Sequence, residues 1–329
     1  MTLRKPTRAR QTGPKHSFVR ESGNSAFQRA IVDLQKPASA YPNISGRWLL
    51  AAGAIALVAA LACAWLTLCL LYWQGNWQLL YHPKAAIGRT PASVGLAYEP
   101  VRFAATETGT PQLTGWWILP ASSASSFGSR FMVLYLHGAD SNLSDTVDAL
   151  AALHREDVPV FAFDYRGYGQ SQTGRPSETQ LRQDNEWALN WLTLTKHIPA
   201  KTIVVYGSGL GARLAAELAA DHSELAGVVL DQPYPDPMAQ VFGDSRSKLV
   251  PAHWIVADRY DLNSFARRLR LPSLWLLANP SPSGPAHLPG NLPDAYVADP
   301  ALKSVVWLNS PATADKNFTE SLRRWLDDL

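Results

Sequence analysis

The chain has 329 residues, of which 47% are hydrophobic and 17% are charged, so it can bury one large core or two small ones. This composition excludes a wholly disordered chain, and two cysteines exclude a disulfide scaffold. The net charge of +3 comes from residues 1–47 alone, which hold nine Lys and Arg against two acids and leave the rest of the chain negative.

Residues 1–47 have few large apolar side chains, which predicts a disordered basic tail. Such a tail can bind nucleic acid or anionic lipid, but next to an apolar segment its charge is typical of a topology signal. We therefore expect no nucleic acid partner. The charge predicts a cytoplasmic N-terminus and a C-terminal domain on the outside, which in a bacterium is the periplasmic face of the inner membrane.

An uncharged run, Trp48–Trp73, follows the tail. Its 26 residues exceed the roughly 20 that a helix needs to cross a bilayer. A buried core helix is rarely apolar on all sides over this length, and a cleaved signal peptide would start nearer the N-terminus. The run predicts a single transmembrane helix over residues 48–73. Both cysteines, Cys63 and Cys69, lie in it, so the remaining chain can form no internal disulfide.

Residues 74–329 are predicted to form one domain. Two β-rich runs, 97–105 and 113–121, indicate an antiparallel hairpin. Further apolar strands are predicted at 131–138, 158–165, 202–207, 226–233, 272–278 and 303–308, and helices at 143–154, 177–194, 210–220 and 317–329. Apolar strands alternating with helices predict a mostly parallel sheet with helices on both faces. Adjacent Trp116 and Trp117 are expected to place one indole inward and to add the other to an apolar surface.

Two motifs contain glycines after predicted strands. In "LYLHGADSNLSD" (134–145) a strand runs into a His-Gly pair, which can present a backbone N–H as half of an oxyanion hole, although an ordinary turn explains it as well. In "DYRGYGQSQTGRPSETQLRQD" (164–184) the glycines and the Asp164/Arg166 pair indicate a tight connection with a structural role.

With these motifs the chain resembles α/β-hydrolases of the Bem46-like group, which includes the membrane-anchored ABHD13-like and ABHD17-like proteins. The resemblance rests on segments 79–83 ("LLYHP"), 133–145, 164–184, 204–219 and 321–329. It implies an α/β-hydrolase fold, an N-terminal membrane anchor, and a Ser, Asp, His triad in that chain order.

The nucleophile of such a triad sits in a turn so tight that the residues two before and two after it must be small. In "YGSGLGA" (206–212) the corresponding neighbours of Ser208 are Tyr206 and Leu210, which are bulky. The neighbours of Gly209 are both glycines. The nucleophile position is therefore assigned to Gly209, which has no side chain to attack with.

The resemblance places the acid at Ser281 and the base near Asp315. No Asp or Glu lies between Leu271 and Asp294, and no histidine follows His287. All three triad positions have therefore changed, which predicts the loss of ordinary acyl transfer.

The first hypothesis is a membrane-anchored pseudohydrolase that binds a lipid, an acyl-like ligand or a protein partner. Its pocket would keep an oxyanion-hole-like frame built from His137, Gly138, Ala139 and Leu210. Asp140, beside this frame, would repel a developing negative charge. The sequence implies no metal and no organic cofactor, because its eight histidines show no zinc-like spacing.

Two alternatives stay open. In one, the protein is a serine ester or thioester hydrolase in which Ser208 attacks with help from His287 and Asp231. In the other, it is an interaction protein that works through its basic tail, with the domain as a spacer.

Overall fold

The structure is a computed structural model that describes residues 45–105, 109–120, 130–234, 236–279, 292–309 and 316–329. The chain divides into two units, with the division between Cys63 and Ala64. The predicted basic tail lies outside the described residues as far as residue 44, so the hypothesis that it binds a partner stays a prediction.

Helix α1 spans Gly46–Gly75 and continues as a short helical turn to Leu79. Its side chains are exposed along nearly the whole length, and Tyr72 is its one buried residue. Its most apolar stretch has a mean hydropathy of 2.5. In the described part of the chain, this is the one helix that is long and apolar enough to cross a membrane, judged by length and composition.

In the described residues, eight strands form one sheet in the order β1-β2-β4-β3-β5-β6-β7-β8. Their bounds are β1 Glu99–Ala105, β2 Pro111–Ile118, β3 Met132–Leu136, β4 Val160–Asp164, β5 Ile203–Ser208, β6 Gly227–Asp231, β7 Ser273–Ala278 and β8 Lys303–Leu308. Strand β2 pairs antiparallel with β1 and β4, and the other pairs are parallel. The predicted hairpin on a parallel sheet is confirmed.

The helices of the domain are α2 Leu143–Arg155, α3 Glu178–Asn190, α4 Leu210–Asp221, α5 Pro237–Gly243, α6 Ala252–Ile255, α7 Leu262–Arg268, α8 Asp294–Ala298 and α9 Lys316–Asp327. Side chains of α2 and α9 share one hydrophobic cluster, and those of α3, α4 and α7 share another. Alternate residues of β5 enter alternate clusters, so the sheet is covered on both faces as its apolar strands predict.

Both tryptophans of β2 are buried, so the expectation that one adds to an apolar surface is wrong. Trp116 packs against Tyr98 with ring centres 5.5 Å apart, on one face of the sheet. Trp117 packs on the other face against Trp191, also at 5.5 Å. Consecutive strand residues point to opposite faces, and here both faces are covered.

The segment 164–184 is a structural connection, as predicted, but its two charged residues have separate partners. The Oδ1 atom of Asp164 accepts the N–H of Leu143 at 2.8 Å, while Nε of Arg166 donates to Oδ1 of Asp184 at 2.6 Å. Burial raises the pKa of Asp164 to about 7.

Candidate functional site: the turn after strand β5

The chain reverses sharply between β5, which ends at Ser208, and α4, which begins at Leu210. Gly209 joins them with φ +60° and ψ −114°, a backbone conformation that L side chains rarely adopt. The N–H of Gly209 donates to the carbonyl oxygen of Asp231, at the end of β6, at 2.9 Å. The turn therefore lies at the carboxyl ends of two parallel strands, where open α/β sheets commonly bind ligands.

The glycines on either side of Gly209 leave no room for a side chain. A Cβ atom added to Gly207 would lie 2.6 Å from the Cα atom of Ala212, and one added to Gly211 would lie 2.6 Å from the carbonyl oxygen of His137. At Gly209 the nearest atom is in the Tyr234 ring, at 3.9 Å. A side chain thus has space at residue 209 and at neither flanking glycine.

Ser208 lies beside a buried carboxyl group, because it pairs with Asp231 across β5 and β6. The hydroxyl of Tyr206 donates to Oδ2 of Asp231 at 2.9 Å. Burial raises the pKa of Asp231 to about 6, while the nearby hydroxyls of Tyr206 and Ser208 act in the opposite direction. Among the residues that the structure describes, no hydrogen bond joins Ser208 to a histidine.

The loop after β3 places His137 in the protein interior, with 1% of its surface exposed. Its Nδ1 atom lies 2.8 Å from the carbonyl oxygen of Gly138, and its Nε2 atom lies 3.7 Å from Oδ1 of Asp164. Burial lowers the pKa of His137 to about 4, so its imidazole is neutral near pH 7. The side chain supports the loop and does not reach solvent.

The same loop passes beside the end of β5, because a Cβ atom added to Gly138 would lie 3.4 Å from the carbonyl oxygen of Ser208. The carbonyl oxygen of Ala139 accepts hydrogen bonds from the Tyr168 hydroxyl, at 2.9 Å, and from the backbone N–H of His82, at 3.2 Å. Among the backbone–backbone hydrogen bonds of the described loops and helix caps, none is donated by the N–H of Ala139 or that of Leu210. Two backbone donors thus remain available near the turn, and the first N–H groups of a helix favour an anion or a carbonyl oxygen.

Asp140 has two partners that the sequence did not reveal. Its Oδ1 atom lies 2.5 Å from Nδ1 of His82, and its Oδ2 atom accepts the Tyr234 hydroxyl at 3.0 Å. An ionised carboxylate can only accept, so Nδ1 of His82 carries the hydrogen. These donors offset part of the negative charge of Asp140 beside the oxyanion-hole-like frame. His82 lies in the "LLYHP" segment, one of those on which the family resemblance rests. That resemblance was the sequence signal that could have pointed to His82 as a residue of this site.

A cavity of about 420 Å³ lies next to Tyr234. Arg213 of α4 forms part of its wall, and its guanidinium donates to the carbonyl oxygens of Tyr234, at 2.7 Å, and of Tyr260. Burial lowers the pKa of this guanidinium to about 10. Neither Gly209 nor the loop after β3 lines the cavity, so Tyr234 stands between it and the turn.

The remaining predicted site residues lie in two segments of the chain, one after β7 and one after β8. Ser281 and His287 fall in residues 280–291, and Asp315 falls in residues 310–315, and both stretches lie outside the described residues. In the part of the chain that is described, no group of three or more His, Cys, Asp or Glu side chains could hold a metal ion.

Comparison with known sequences assigns most of the domain. Residues 133–329 match the profile described as "Alpha/beta hydrolase family". The uncharacterized protein Rv2307c of Mycobacterium tuberculosis is 29% identical over 282 residues, which cover 84% of this chain and 95% of that protein. Alpha/beta hydrolase domain-containing protein 17C of Xenopus tropicalis is 33% identical over 120 residues, which cover 36% of this chain and 38% of that protein.

Solved structures show the same fold. The Pyrococcus furiosus esterase Pf2001 matches with a TM-score of 0.53 and 17% identity, over 75% of this chain and 98% of the esterase. An alpha-beta hydrolase from Vibrio vulnificus matches with a TM-score of 0.51 and 20% identity, over 72% of this chain and 81% of the other. At these identities the likeness concerns the fold alone.

Proposed function

The chain belongs to the alpha/beta hydrolase family, and on that premise we propose that it is a membrane-anchored member of the Bem46-like group that binds a ligand without hydrolysing it. The ligand class that suits this site is a lipid or another acyl-like molecule with a carbonyl or carboxylate group.

The proposal rests mainly on Gly209. A nucleophile elbow needs its reactive side chain at the strained centre of the strand-to-helix turn. Gly209 holds the strained conformation, and there is space for a side chain there but not at its glycine neighbours. The residue in that position has no side chain, so no covalent acyl-enzyme can form there.

The surroundings of the turn suit binding. The free N–H groups of Ala139 and Leu210 can donate to one oxygen of a ligand, and this needs no particular side chain. A side chain at residue 209 would point toward the ring of Tyr234. The Tyr234 hydroxyl donates to Asp140, which holds the ring in place. A ligand group can therefore occupy the volume that a nucleophile fills in a working enzyme.

Membrane anchoring rests on helix α1. Its length, its apolar composition and its exposed side chains suit a single span. The basic residues before it favour a cytoplasmic N-terminus, with the domain on the opposite side. Cysteine labelling with a membrane-impermeant maleimide, in intact cells and after lysis, tests this sidedness, and labelling of a domain position only after lysis would reverse it.

A fluorophosphonate probe tests the absence of catalysis, because it labels activated serines. The purified full-length chain should remain unlabelled. Gly209→Ser should add a serine in the proper position yet label weakly, because the proposed acid and base positions offer no His–Asp pair to activate it. Strong labelling of the native chain that disappears in Ser208→Ala would contradict the proposal.

Ligand binding needs its own test. Hexanoate at concentrations above its dissociation constant should raise the unfolding temperature of the full-length chain, since a ligand that binds only the folded state stabilises it. Gly209→Leu fills the proposed volume and should remove the shift. An equal shift in the native chain and the variant would show that hexanoate binds elsewhere.

One observation favours a second candidate function, ester hydrolysis by Ser208. Its hydroxyl lies against the Asp231 carboxyl on the neighbouring strand. Hydrolysis of p-nitrophenyl esters should then be lost in Ser208→Ala and reduced in both Asp231→Asn and His287→Ala. Turnover that survives Ser208→Ala would exclude this candidate.

A further inference from the structure

The segment Ser245–Ile255, between β6 and β7, carries the most exposed large apolar side chain of the described residues. Trp254 is 91% exposed and Leu249 is 62% exposed. We propose that this segment is a second membrane contact, which inserts both side chains into the lipid leaflet around the C-terminal half of α1. The inference rests on the membrane anchoring proposed above.

The exposure of these side chains is built into the fold, because the other side of the segment is fastened to the domain. Ser247 is buried, and its hydroxyl donates to the carbonyl oxygen of Phe242 at 2.7 Å. Ala252 is buried in the main hydrophobic cluster. With these residues held inward, Leu249 and Trp254 face outward in an ordered segment.

A hydrogen bond sets the depth of the segment relative to α1. The indole Nε1 of Trp65 donates to the carbonyl oxygen of Leu249 at 3.1 Å. Trp65 precedes Trp73, the end of the uncharged run, by eight residues. At about 1.5 Å per residue, Trp65 lies about 12 Å inside that end of the run. If α1 spans a membrane, Leu249 is therefore at the level of the apolar run.

The same hydrogen bond has the chemistry that lipid requires. An indole N–H or a carbonyl oxygen without a partner is costly in the hydrocarbon region, where water is absent. Trp65 and Leu249 satisfy each other. The carbonyl oxygen of Pro251 is taken up by the N–H groups of Trp254, at 2.9 Å, and Ile255, at 3.2 Å. The segment can therefore enter a leaflet without leaving these polar groups unpaired.

An apolar groove of about 290 Å³ separates the segment from α1. Most of its wall area is apolar, with Leu68, Leu71 and Leu79 on one side and Leu249 and Val250 on the other. Its polar part comes from Asn76, Gln78 and Arg246. Water beside the leucines of this groove would have few polar partners, whereas an acyl chain of a surrounding lipid would fill that apolar part. The groove is thus an apolar surface that a bilayer covers.

Basic residues complete the interfacial pattern. Lys248, which immediately precedes Leu249 in the chain, is exposed. Nε of Arg246 forms an ion pair with Oδ1 of Asp244 at 2.8 Å. The long side chain of Lys248 can extend from this depth toward the headgroups, as lysines near the ends of membrane segments do. The partner that this chemistry selects is the bilayer itself.

Spin labels at single cysteines test the inference in the full-length chain, reconstituted in vesicles of phosphatidylcholine and phosphatidylglycerol. In a Cys63→Ser and Cys69→Ser background, the positions are Trp254→Cys, Leu57→Cys on α1, and Leu302→Cys as the control. Leu302 is 73% exposed and lies outside the segment, which makes it a matched exposed apolar site. Power saturation compares accessibility to oxygen, which concentrates in lipid, with accessibility to a water-soluble nickel chelate.

The oxygen-to-nickel accessibility ratio at position 254 should be several-fold higher than at position 302 and close to that at position 57. A ratio at 254 equal to that at 302, with a lipid-like ratio at 57, would overturn the inference and leave the anchoring intact. Aqueous ratios at both 254 and 57 would overturn the anchoring as well. Lys248→Glu should lower the ratio at 254 in these anionic vesicles, because it replaces attraction to the headgroups by repulsion.

Discussion

Two turns at the carboxyl edge of the sheet each contain a glycine with positive φ, and they differ in what surrounds that glycine. Gly169, after β4, has φ +50°, and a Cβ atom there would overlap the Asp164 carboxylate. Gly209, after β5, has φ +60°, and a Cβ atom there would meet nothing nearer than Tyr234, at 3.9 Å. The first turn is filled by the protein's own side chain. The second leaves an open volume, which is the property expected of a binding site.

The comparison predicts its largest effect at the filled turn. Gly169→Ala should lower the free energy of unfolding by about 3 kcal/mol or more, because the buried Asp164 carboxylate would have to leave its hydrogen bond to the Leu143 N–H. Chemical denaturation measures this loss. Gly174→Ala is the control, since its Cβ atom would lie 3.6 Å from the nearest atom, in Gln180. A loss below about 1 kcal/mol in Gly169→Ala would show that this turn is not filled.

Gly209→Ala should cost less than Gly169→Ala, about 1–3 kcal/mol, because it adds backbone strain without a steric overlap. Both substitutions place a side chain at positive φ, so the difference between them isolates packing. Gly211→Ala, where the added atom meets backbone carbonyl groups, should cost more than Gly209→Ala. Equal losses of unfolding free energy in Gly169→Ala and Gly209→Ala would show that the two turns do not differ in packing.

The filled turn should also make stability depend on pH. The pKa of Asp164 rises on folding from 3.8 to about 7, so the folded state holds its proton more tightly than the unfolded state. This contribution is complete below about pH 4 and is lost as the pH rises to 7. Between pH 5 and 6 the loss is about 1 kcal/mol. Asp164→Asn should make the dependence shallower in unfolding curves recorded from pH 4 to 8, with the raised pKa of Asp231 preserving part of it. An unchanged slope would contradict the assignment.

The smallest effect is expected from the polar groups beside the open turn. Asp140→Asn should change the free energy of unfolding by about 1 kcal/mol or less, because the side chains of both Asp140 and His82 are more than half exposed. Thermal unfolding measures this change. A loss comparable with that of Gly169→Ala would mean that Asp140 supports the fold, and would weaken the case that these groups are available to a ligand.

The sequence was most informative where the physical cause is local. The hairpin and the parallel strands follow from runs of apolar residues, and strand β8 begins and ends at the predicted residues. The sequence predicts one helix over residues 177–194. Its regular α-helical part ends at Asn190, and a wider helical turn, Trp191–Thr195, follows. Trp191 packs against Phe161 there, at a ring-centre distance of 4.6 Å, and sequence periodicity does not show such a contact.

The sequence by itself determined the order of the elements, the apolar helix, and the position of small residues around Gly209, because each depends on residues adjacent in the chain. The tertiary structure alone decided which distant groups meet. Asp140 contacts His82 and Tyr234, which are 58 and 94 residues away, and Trp65 contacts Leu249, which is 184 residues away. No local pattern encodes these pairs, because they depend on how a twisted sheet brings separate loops to one edge and on where a connecting segment returns to a helix.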